Sequence, residues 1–266
     1  MEGKNFIKSE NENFHNKLIK SNIAGDFTGN DKFYEIKGNP NKIVRLESFE
    51  NLEQRYFNQI DASNLVEVGK KLFTELENKY AISVPVEFFI DKNEKGDDVV
   101  YAQVDRIDGV NLEKVEPTKE ATEEIIKLYN SISIYYLDKS QKEENHLADI
   151  NNASQYMYGK KNGDKEPRIY LTDTDLYINS GKVSLLHNIK WFLRHMGWVE
   201  RKFNTKFEDA RENIKKLIEN ISIPDNLTDT EKSNANREIR EINEISIGDF
   251  SNLDKDEEGF ISSSIL

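Results

Sequence analysis

The sequence predicts an α+β protein in which short strands dominate the first part and helices the second. Between residues 23 and 105, runs rich in aromatic and β-branched residues alternate with turns of Gly, Asn, Asp and Pro, a pattern typical of antiparallel strands. Between residues 106 and 221, apolar residues recur at helical spacing over long segments. Polar sequence predicts an N-terminal arm over residues 1–22 and an acidic C-terminal tail over residues 222–266.

Composition and charge exclude several classes of function. The 266 residues, of which 36% are hydrophobic and 32% charged, suffice for one large domain or two lobes. A net charge of −12 disfavours nucleic acid and anionic membranes as partners, because both would be repelled. The sequence has no cysteine, which excludes disulfides, thiolate catalysis and cysteine metal sites. No stretch matches a signal peptide or approaches the roughly 18 apolar residues of a membrane span, so we expect a cytoplasmic protein, or one exported without a cleaved signal.

The first three strands are predicted around tight turns. A turn-rich loop over Gly25–Asp31 precedes Lys32–Ile36, and a second turn at Gly38–Asn41 separates that run from Lys42–Leu46. An ordinary β-hairpin accounts for the glycines of this region as well as a binding loop does.

A helix and two further strands complete the first part. Apolar residues close to helical spacing predict a helix from Ser63 to about Lys79. Val84–Ile90 and Val99–Val104 are typical of two antiparallel strands. The acidic, glycine-containing segment Asp105–Leu112 then predicts a connector that leads into a short helix.

Helices follow in the second part and in the tail. The start signal Glu116-Pro117-Thr118 and an apolar set predict a long core helix over Thr118–Leu137. Ser184–Trp198 predicts a strongly apolar helix, Phe207–Ile221 another helix, and Thr228–Glu244 a charged one.

A β-hairpin with a carboxylate at each end is predicted between these helices. Gln155–Tyr158 and Arg168–Leu171 are aromatic or β-branched, and the turn between them contains Asn162-Gly163, a pair that hairpins favour. Asp149 precedes the first strand and Asp173 follows the second, so we expect the two carboxylates to lie close together. Magnesium and other hard cations prefer oxygen ligands, which makes this hairpin a candidate site for metal and phosphate chemistry.

This stretch resembles the catalytic loop and metal-binding motif of the protein-kinase-like superfamily, which includes small-molecule phosphotransferases. His146–Asp149 is similar to the His-x-Asp loop, and Asp173 to the aspartate of the Asp-Phe-Gly motif. The resemblance implies that Asp149 accepts the substrate proton and that Asp173 holds magnesium. His146 stands three residues before Asp149 rather than two, and Thr174-Asp175 replaces Phe-Gly.

The resemblance also implies a second magnesium ligand, for which the sequence offers two candidates. Ser154 occupies the place where the family carries a metal-binding Asn. Gln155, one position later, would supply the missing amide, or Asp175 would add a second carboxylate.

For ATP, the resemblance implies a binding site in the first part of the chain. Gly25 and Gly29 would let the backbone approach the phosphates closely. Arg45 stands where the family has its phosphate-clamping lysine, although the arginine fork differs in geometry from a point charge. Glu67 is the candidate partner of Arg45 and Glu75 its competitor, while the alternative for each is a solvated charge on a helix.

The fold implied by the resemblance has two lobes. Residues 23–105 would form a small lobe with an antiparallel sheet and one helix, and residues 106–221 an abbreviated, mainly helical large lobe. The connector at residues 105–112 would be the hinge that binds adenine. The first hypothesis is an ATP- and magnesium-dependent phosphotransferase acting on an unknown protein or small molecule. The second is an inactive pseudokinase, which Arg45, Ser154 and the short large lobe favour, and the third is an acidic α+β interaction protein outside the superfamily.

Two further patterns have simpler explanations. His187 and His195 lie two turns apart on one predicted helix, but no third ligand is near in the sequence, so we expect core or surface histidines. Asp254–Gly259 resembles the first half of an EF-hand calcium loop, but Ile265 stands where the bidentate Glu is required. An acidic tail is the alternative there.

Overall fold

Short strands and amphipathic helices form an α+β architecture, as the sequence predicts. The computed structural model describes residues 14–20, 33–48, 62–142, 145–147, 150–172, 178–179, 181–223 and 225–247. The chain divides into a smaller unit, Met1–Val66 with Glu87–Arg106, and a larger unit, Glu67–Val86 with Ile107–Leu266.

The smaller unit contains a five-stranded sheet with the order β1-β2-β3-β5-β4. Its strands are β1 (Leu18–Lys20), β2 (Phe33–Ile36), β3 (Asn39–Ser48), β4 (Val86–Lys92) and β5 (Asp98–Asp105). Strand β1 pairs antiparallel with β2, β2 with β3, and β3 with β5. The predicted strands over residues 84–90 and 99–104 are thus present, shifted by a residue or two.

Strand β1 lies within the segment for which the sequence predicts an arm. Leu18 packs against the core formed by Val44, Val99 and Tyr101, and Phe14 lies with its ring 5.2 Å from that of Tyr101. The sheet therefore begins before residue 23. Three residues are too few to show the alternation that reveals a strand in a sequence.

Five helices are present among the described residues of the chain, and each matches a predicted one to within a few residues. They are α1 (Ala62–Tyr80), α2 (Lys119–Ser140), α3 (Lys182–Phe203), α4 (Glu208–Asn220) and α5 (Asp229–Ile247). Helix α2 begins where the start signal predicts, because the Thr118 side chain accepts a hydrogen bond from the Ala121 N–H at 3.2 Å. Thr228 and Glu231 form a reciprocal capping box at the start of α5.

The larger unit also contains two small antiparallel sheets. One has the order β6-β8-β9, made by β6 (Ile107–Asn111), β8 (Tyr156–Lys161) and β9 (Arg168–Leu171). The other pairs β7 (His146–Leu147) with β10 (Ile178–Asn179). Strands β8 and β9 confirm the predicted hairpin, and Gly163 in its turn has φ +96°, which favours glycine. The predicted connector forms the strand β6 instead, while the short helix predicted after it is present as a 3-10 helix at Leu112–Lys114.

Stacked aromatic rings fill the core of the larger unit. Tyr129 lies between Phe192 and Phe207, with ring centroids 5.6 and 4.8 Å away, and Tyr136 meets Phe192 at 5.5 Å. These rings join α2 to α3 and to the start of α4. Nowhere in the described ranges is a helix both long and apolar enough to cross a membrane.

Candidate functional site

The residues at the centre of the predicted site lie outside the described residues. These are Asp149, Asp173 and Asp175 of the hairpin region and Gly25 and Gly29 of the first loop. The segments that flank the three aspartates are described, so the frame around them can be compared with the prediction.

The base of the hairpin closes at Gln155 and Thr172. The Thr172 N–H donates to the Gln155 carbonyl at 2.9 Å, and the Thr172 hydroxyl lies 3.3 Å from the same oxygen. Thr172 is the residue before Asp173. The backbone of the predicted amide ligand Gln155 is therefore fixed opposite the last described residue before the predicted metal aspartate.

A second backbone pairing, between β7 and β10, flanks residues 148–149 and 173–177 at their other ends. Leu147 pairs with Ile178, and His146 with Asn179, in antiparallel register. Leu147 precedes residues 148–149, while Ile178 follows residues 173–177. The two chain segments that carry the predicted carboxylates thus leave from, and return to, hydrogen-bonded anchors that the structure defines.

Two tyrosine hydroxyls fix the backbone on either side of residues 148–149. The Leu147 N–H donates to the Tyr135 hydroxyl at 2.9 Å, and the Tyr156 hydroxyl donates to the Ile150 carbonyl at 2.6 Å. Both side chains are fully buried. Burial raises the pKa of Tyr156 well above its ordinary value, so its hydroxyl keeps the proton that it donates.

The amide side chains near the loop have different roles. Asn151 is buried and donates from Nδ2 to the Asn188 carbonyl at 3.0 Å, and Asn152 accepts from the Ser154 N–H at 3.0 Å as an N-cap. Gln155 is half-buried, and its amide makes no hydrogen bond to the described part of the chain. Of the amides at positions 151, 152 and 155, Gln155 is therefore the one that has no structural task in the described contacts.

His146, three residues before Asp149, is a buried core residue. Its side chain is 1% exposed, and Nε2 lies 3.3 Å from the hydroxyl oxygen of Ser184 near the start of α3. Through this contact β7 is connected to the first turn of α3, next to Gly181.

The two predicted ATP-site residues that are described have different surroundings. Arg45 lies on β3 of the smaller unit, in register with Ala102 of β5, and is 5% exposed. Glu67 is exposed on α1 and is the residue at which the larger unit begins. Glu75, the competitor of Glu67, instead binds Lys139, whose ammonium nitrogen lies 2.7 Å from Glu75 Oε2.

That last contact belongs to a network of charges that the sequence did not reveal. Lys79 Nζ and the Tyr80 hydroxyl each lie 2.6 Å from Asp138 Oδ2, next to the pair of Lys139 and Glu75. Burial alone would raise the pKa of Asp138, but the hydrogen bonds from Lys79 and Tyr80 outweigh it and lower that pKa to about 2. The sequence gives each of the four charged residues the appearance of a solvated helix charge, because Glu75 and Lys79 of α1 pair with Lys139 and Asp138 of α2.

The two histidines of α3 flank the ring of Trp191, whose centroid lies 6.2 Å from that of His187 and 6.4 Å from that of His195. The His187 ring accepts a hydrogen bond from Trp191 Nε1 at 2.9 Å and lies 3.6 Å from Glu238 Oε1 of α5. Burial lowers the pKa of His195. The described ranges contain no group of three or more His, Cys, Asp or Glu side chains placed to hold a metal. The EF-hand-like stretch Asp254–Gly259 lies outside them.

Comparison of the sequence with protein-family models finds no match, and comparison with curated proteins finds none either. A functional conclusion therefore depends on the residues and their arrangement. The paired strands around residues 148–149 and 173–177 are the most informative part of that arrangement.

Proposed function

We propose that this chain is a divergent ATP- and magnesium-dependent phosphotransferase with a two-lobed kinase-like fold. The observation that carries the proposal is the pair of backbone contacts that flank the segments of the predicted carboxylates. Thr172 is bonded to Gln155 on one side, and Leu147 pairs with Ile178 on the other. Such a frame suits two carboxylates that must act on one substrate, because phosphoryl transfer depends mostly on positioning and on neutralising charge.

The proposed roles follow from this frame. Asp149 orients the substrate hydroxyl and accepts its proton, and Asp173 binds magnesium. Gln155 or Asp175 supplies the second metal ligand. The surroundings support Gln155, since Asn151 and Asn152 are occupied by structural hydrogen bonds.

The five-stranded sheet supports the proposed ATP site. Arg45 lies on the third strand, the strand that carries the phosphate-binding lysine in protein kinases, and α1 follows that strand as the helix that would carry its glutamate partner. Gly25 and Gly29 belong to the connection between β1 and β2, where a glycine loop over phosphates would be. Arg45 is the proposed phosphate ligand and Glu67 its proposed partner.

An inactive pseudokinase, acting as a nucleotide-binding or protein-interaction module, is the second candidate. Ser154 cannot supply the amide of the family's metal-binding Asn, and its backbone N–H and carbonyl are engaged by Asn152 and Asn111. The deep burial of Arg45 also favours it, because a buried guanidinium is equally suited to a structural role.

Thermal unfolding with ATP and magnesium tests nucleotide binding. A ligand at 100 times its Kd stabilises the folded state by about 2.7 kcal/mol, so the midpoint rises. We expect the rise to require magnesium and to disappear in Asp173→Ala, while the control Asp225→Ala, which removes an exposed carboxylate, keeps it. If wild-type protein shows no rise with any nucleotide and metal, the kinase-like site is refuted.

An assay of ATP turnover separates the two candidates. A phosphotransferase loses turnover in Asp149→Asn and keeps nucleotide binding, because the substituted residue acts on the hydroxyl and not on ATP. A pseudokinase binds nucleotide without turnover in the wild-type protein, and Asp149→Asn then changes neither property.

A further inference from the structure

We infer that the smaller unit carries a peptide-binding groove on one face of its sheet, and that residues Phe14–Lys20 of the same chain occupy this groove as a releasable strap. The strap consists of the 3-10 helix Phe14–Lys17 and strand β1. Strap and groove both belong to the smaller unit. The inference goes beyond the proposed phosphotransferase activity and does not depend on it.

The floor of the groove is an apolar, largely aromatic surface of strands β2, β3, β4 and β5. Its members are Val44, Val99 and Tyr101 at the buried centre, with Tyr34, Ile36 and Phe89 packed against them. Phe89 stacks on Tyr101, with ring centroids 5.3 Å apart and an angle of 12° between the ring planes. Strand β3 pairs with both β2 and β5, so the floor has a frame that does not include the strap.

Phe14 anchors the strap on this floor. Its ring meets those of Phe89 and Tyr101 edge-on, with centroid distances of 4.8 and 5.2 Å. Edge-to-face packing is a favoured geometry for aromatic pairs and adds to the effect of burial. Leu18, at the start of β1, packs against the same floor. The strap therefore contacts the groove through one aromatic and one aliphatic side chain.

Backbone pairing holds the strap at the edge of the sheet. Leu18–Lys20 pairs with Tyr34–Ile36 of β2 in antiparallel register. The Lys37 N–H donates to the Lys17 carbonyl at 2.8 Å, which extends this contact into the 3-10 helix. Addition of a strand to a sheet edge, with side-chain pockets beside it, is a recurring mode of peptide recognition.

The rim of the groove is acidic, and the strap beside it carries a histidine and two lysines. Asp91 Oδ2 accepts a hydrogen bond from the Phe14 N–H at 3.4 Å, and Glu94 Oε2 lies 3.9 Å from His15 Nε2. His15 Nδ1 lies 3.3 Å from the hydroxyl oxygen of Tyr101. Charges of opposite sign on two surfaces steer their association and select against wrong partners. The groove thus fits a peptide in which an aromatic residue is followed by basic ones.

The strap is held less firmly than the sheet beneath it. Its side chains from Phe14 to Ile19 are half-buried or exposed, whereas Val44 and Tyr101 are 0% exposed. Strand β1 has three residues and lies at the end of the strand order. Segments with few buried apolar contacts open locally at a lower free-energy cost than a core does. Opening would uncover the aromatic floor, and a contiguous apolar surface with a polar rim marks a site of protein interaction.

Hydrogen–deuterium exchange of the full-length protein tests whether the strap opens separately. Phe14→Ala and Leu18→Ala should each speed exchange in β1 and β2 and leave β3 and β5 at the wild-type rate. Ile19→Ala is the matched control and should exchange as the wild type does, because Ile19 lies on β1 but is 51% exposed. Wild-type exchange in both variants contradicts the anchoring contacts. Faster exchange in β3 and β5 as well, or a loss of folding by the thermal midpoint, would make the segment an integral part of the sheet and overturn the strap.

A peptide with the sequence of Phe14–Lys20 tests the groove. A segment of the same chain acts at an effective concentration on the order of millimolar, so the peptide should be excluded from the wild-type protein. Added at millimolar concentration to Phe14→Ala, it should return the exchange of β2 towards the wild-type rate. The same peptide with alanine in place of Phe14 should not. No protection by the peptide, or equal protection by both peptides, overturns the groove.

Sedimentation at several protein concentrations tests whose strap fills the groove. Phe14→Ala should leave the oligomeric state of the wild-type protein unchanged. A wild-type dimer that Phe14→Ala dissociates would mean that the strap comes from a second copy of the chain, which overturns the intramolecular assignment. None of these measurements uses nucleotide, so failure of the proposed phosphotransferase activity leaves their outcome unchanged.

Discussion

The ammonium group of Lys139 is buried against the carboxylate of Glu75, with Nζ 2.7 Å from Oε2. Lys139 is 2% exposed, and its nitrogen also lies 5.6 Å from the centre of the Tyr135 ring. The pair connects α1 to α2 beside Tyr135, whose hydroxyl contacts Leu147. The buried Lys139 ammonium thus lies next to Tyr135, whose hydroxyl accepts the Leu147 N–H beside the candidate site.

Glu75→Ala should destabilise the protein more than Lys139→Met. Removing Glu75 takes a carboxylate from a buried ammonium, and breaking a buried pair in this way costs about 3–5 kcal/mol. Lys139→Met fills the same space with an apolar chain and leaves the Glu75 carboxylate, which is 25% exposed and lies 4.0 Å from Lys79 Nζ, so the remaining charge keeps solvent and a partner and the cost is smaller. Denaturant unfolding measures both, with Lys71→Ala on the exposed face of α1 as the control, expected within about 0.5 kcal/mol of wild type. The explanation is wrong if Lys139→Met costs as much as Glu75→Ala.

The free energy of unfolding should decrease as the pH is lowered from about 4 to about 2, because Asp138 becomes protonated. Its pKa is lowered from the ordinary 3.8 to about 2, so its contribution is complete above 3.8 and is lost as the pH falls towards 2. The full drop would correspond to about 2 kcal/mol, and solvent screening at this half-buried site reduces it to about 1 kcal/mol.

Urea unfolding at several pH values checks this. Asp138→Asn should flatten the acid limb of the stability curve by that amount. Glu123→Gln is the control, because Glu123 lies exposed on the same helix and only approaches Lys119 at 4.0 Å. An equally steep acid limb in Asp138→Asn would mean that other carboxylates account for the acid sensitivity.

The helices could be predicted from the sequence because their signals are local. Helix α2 illustrates this, since Thr118 caps the first turn, the apolar residues face the core, and both features lie within one segment. The hairpin of β8 and β9 was equally accessible through Asn162-Gly163. Where the signal lies within a dozen residues, periodicity and turn chemistry are sufficient.

The elements that the sequence missed depend on distant partners. Strands β7 and β10 have two residues each and are paired across 30 positions, so neither has a pattern of its own. Strand β6 contains Asp108 and Gly109, which are typical of turns, and becomes a strand because β8 pairs with it. The different roles of Asn151 and Gln155 likewise could not be predicted, because the hydrogen bond from Asn151 to the Asn188 carbonyl on α3 joins residues that are far apart in the sequence.

Gly159→Ala should destabilise the sheet that supports the candidate site. Gly159 of β8 faces Gly109 of β6, and a Cβ atom added at position 159 would collide with the backbone of Asp108 and Gly109. Backbone cannot move aside as a flexible side chain can, so we expect a cost of about 1–3 kcal/mol, typical of overpacking.

The matched control is Asp108→Ala, because Asp108 is exposed on the neighbouring strand β6, in register with Lys160 of β8, and its loss should change stability by no more than about 0.5 kcal/mol. Denaturant unfolding gives the comparison, and hydrogen exchange locates the effect. Exchange should quicken first in β6 and β8, because the added methyl separates these two strands. Tyr156, the first residue of β8, donates a hydrogen bond to the Ile150 carbonyl. Amide exchange near residue 150 should therefore become faster only if β8 itself opens at Tyr156. Wild-type stability in Gly159→Ala would mean that β6 is free to shift along β8, and β6 would then be a weak edge rather than a support.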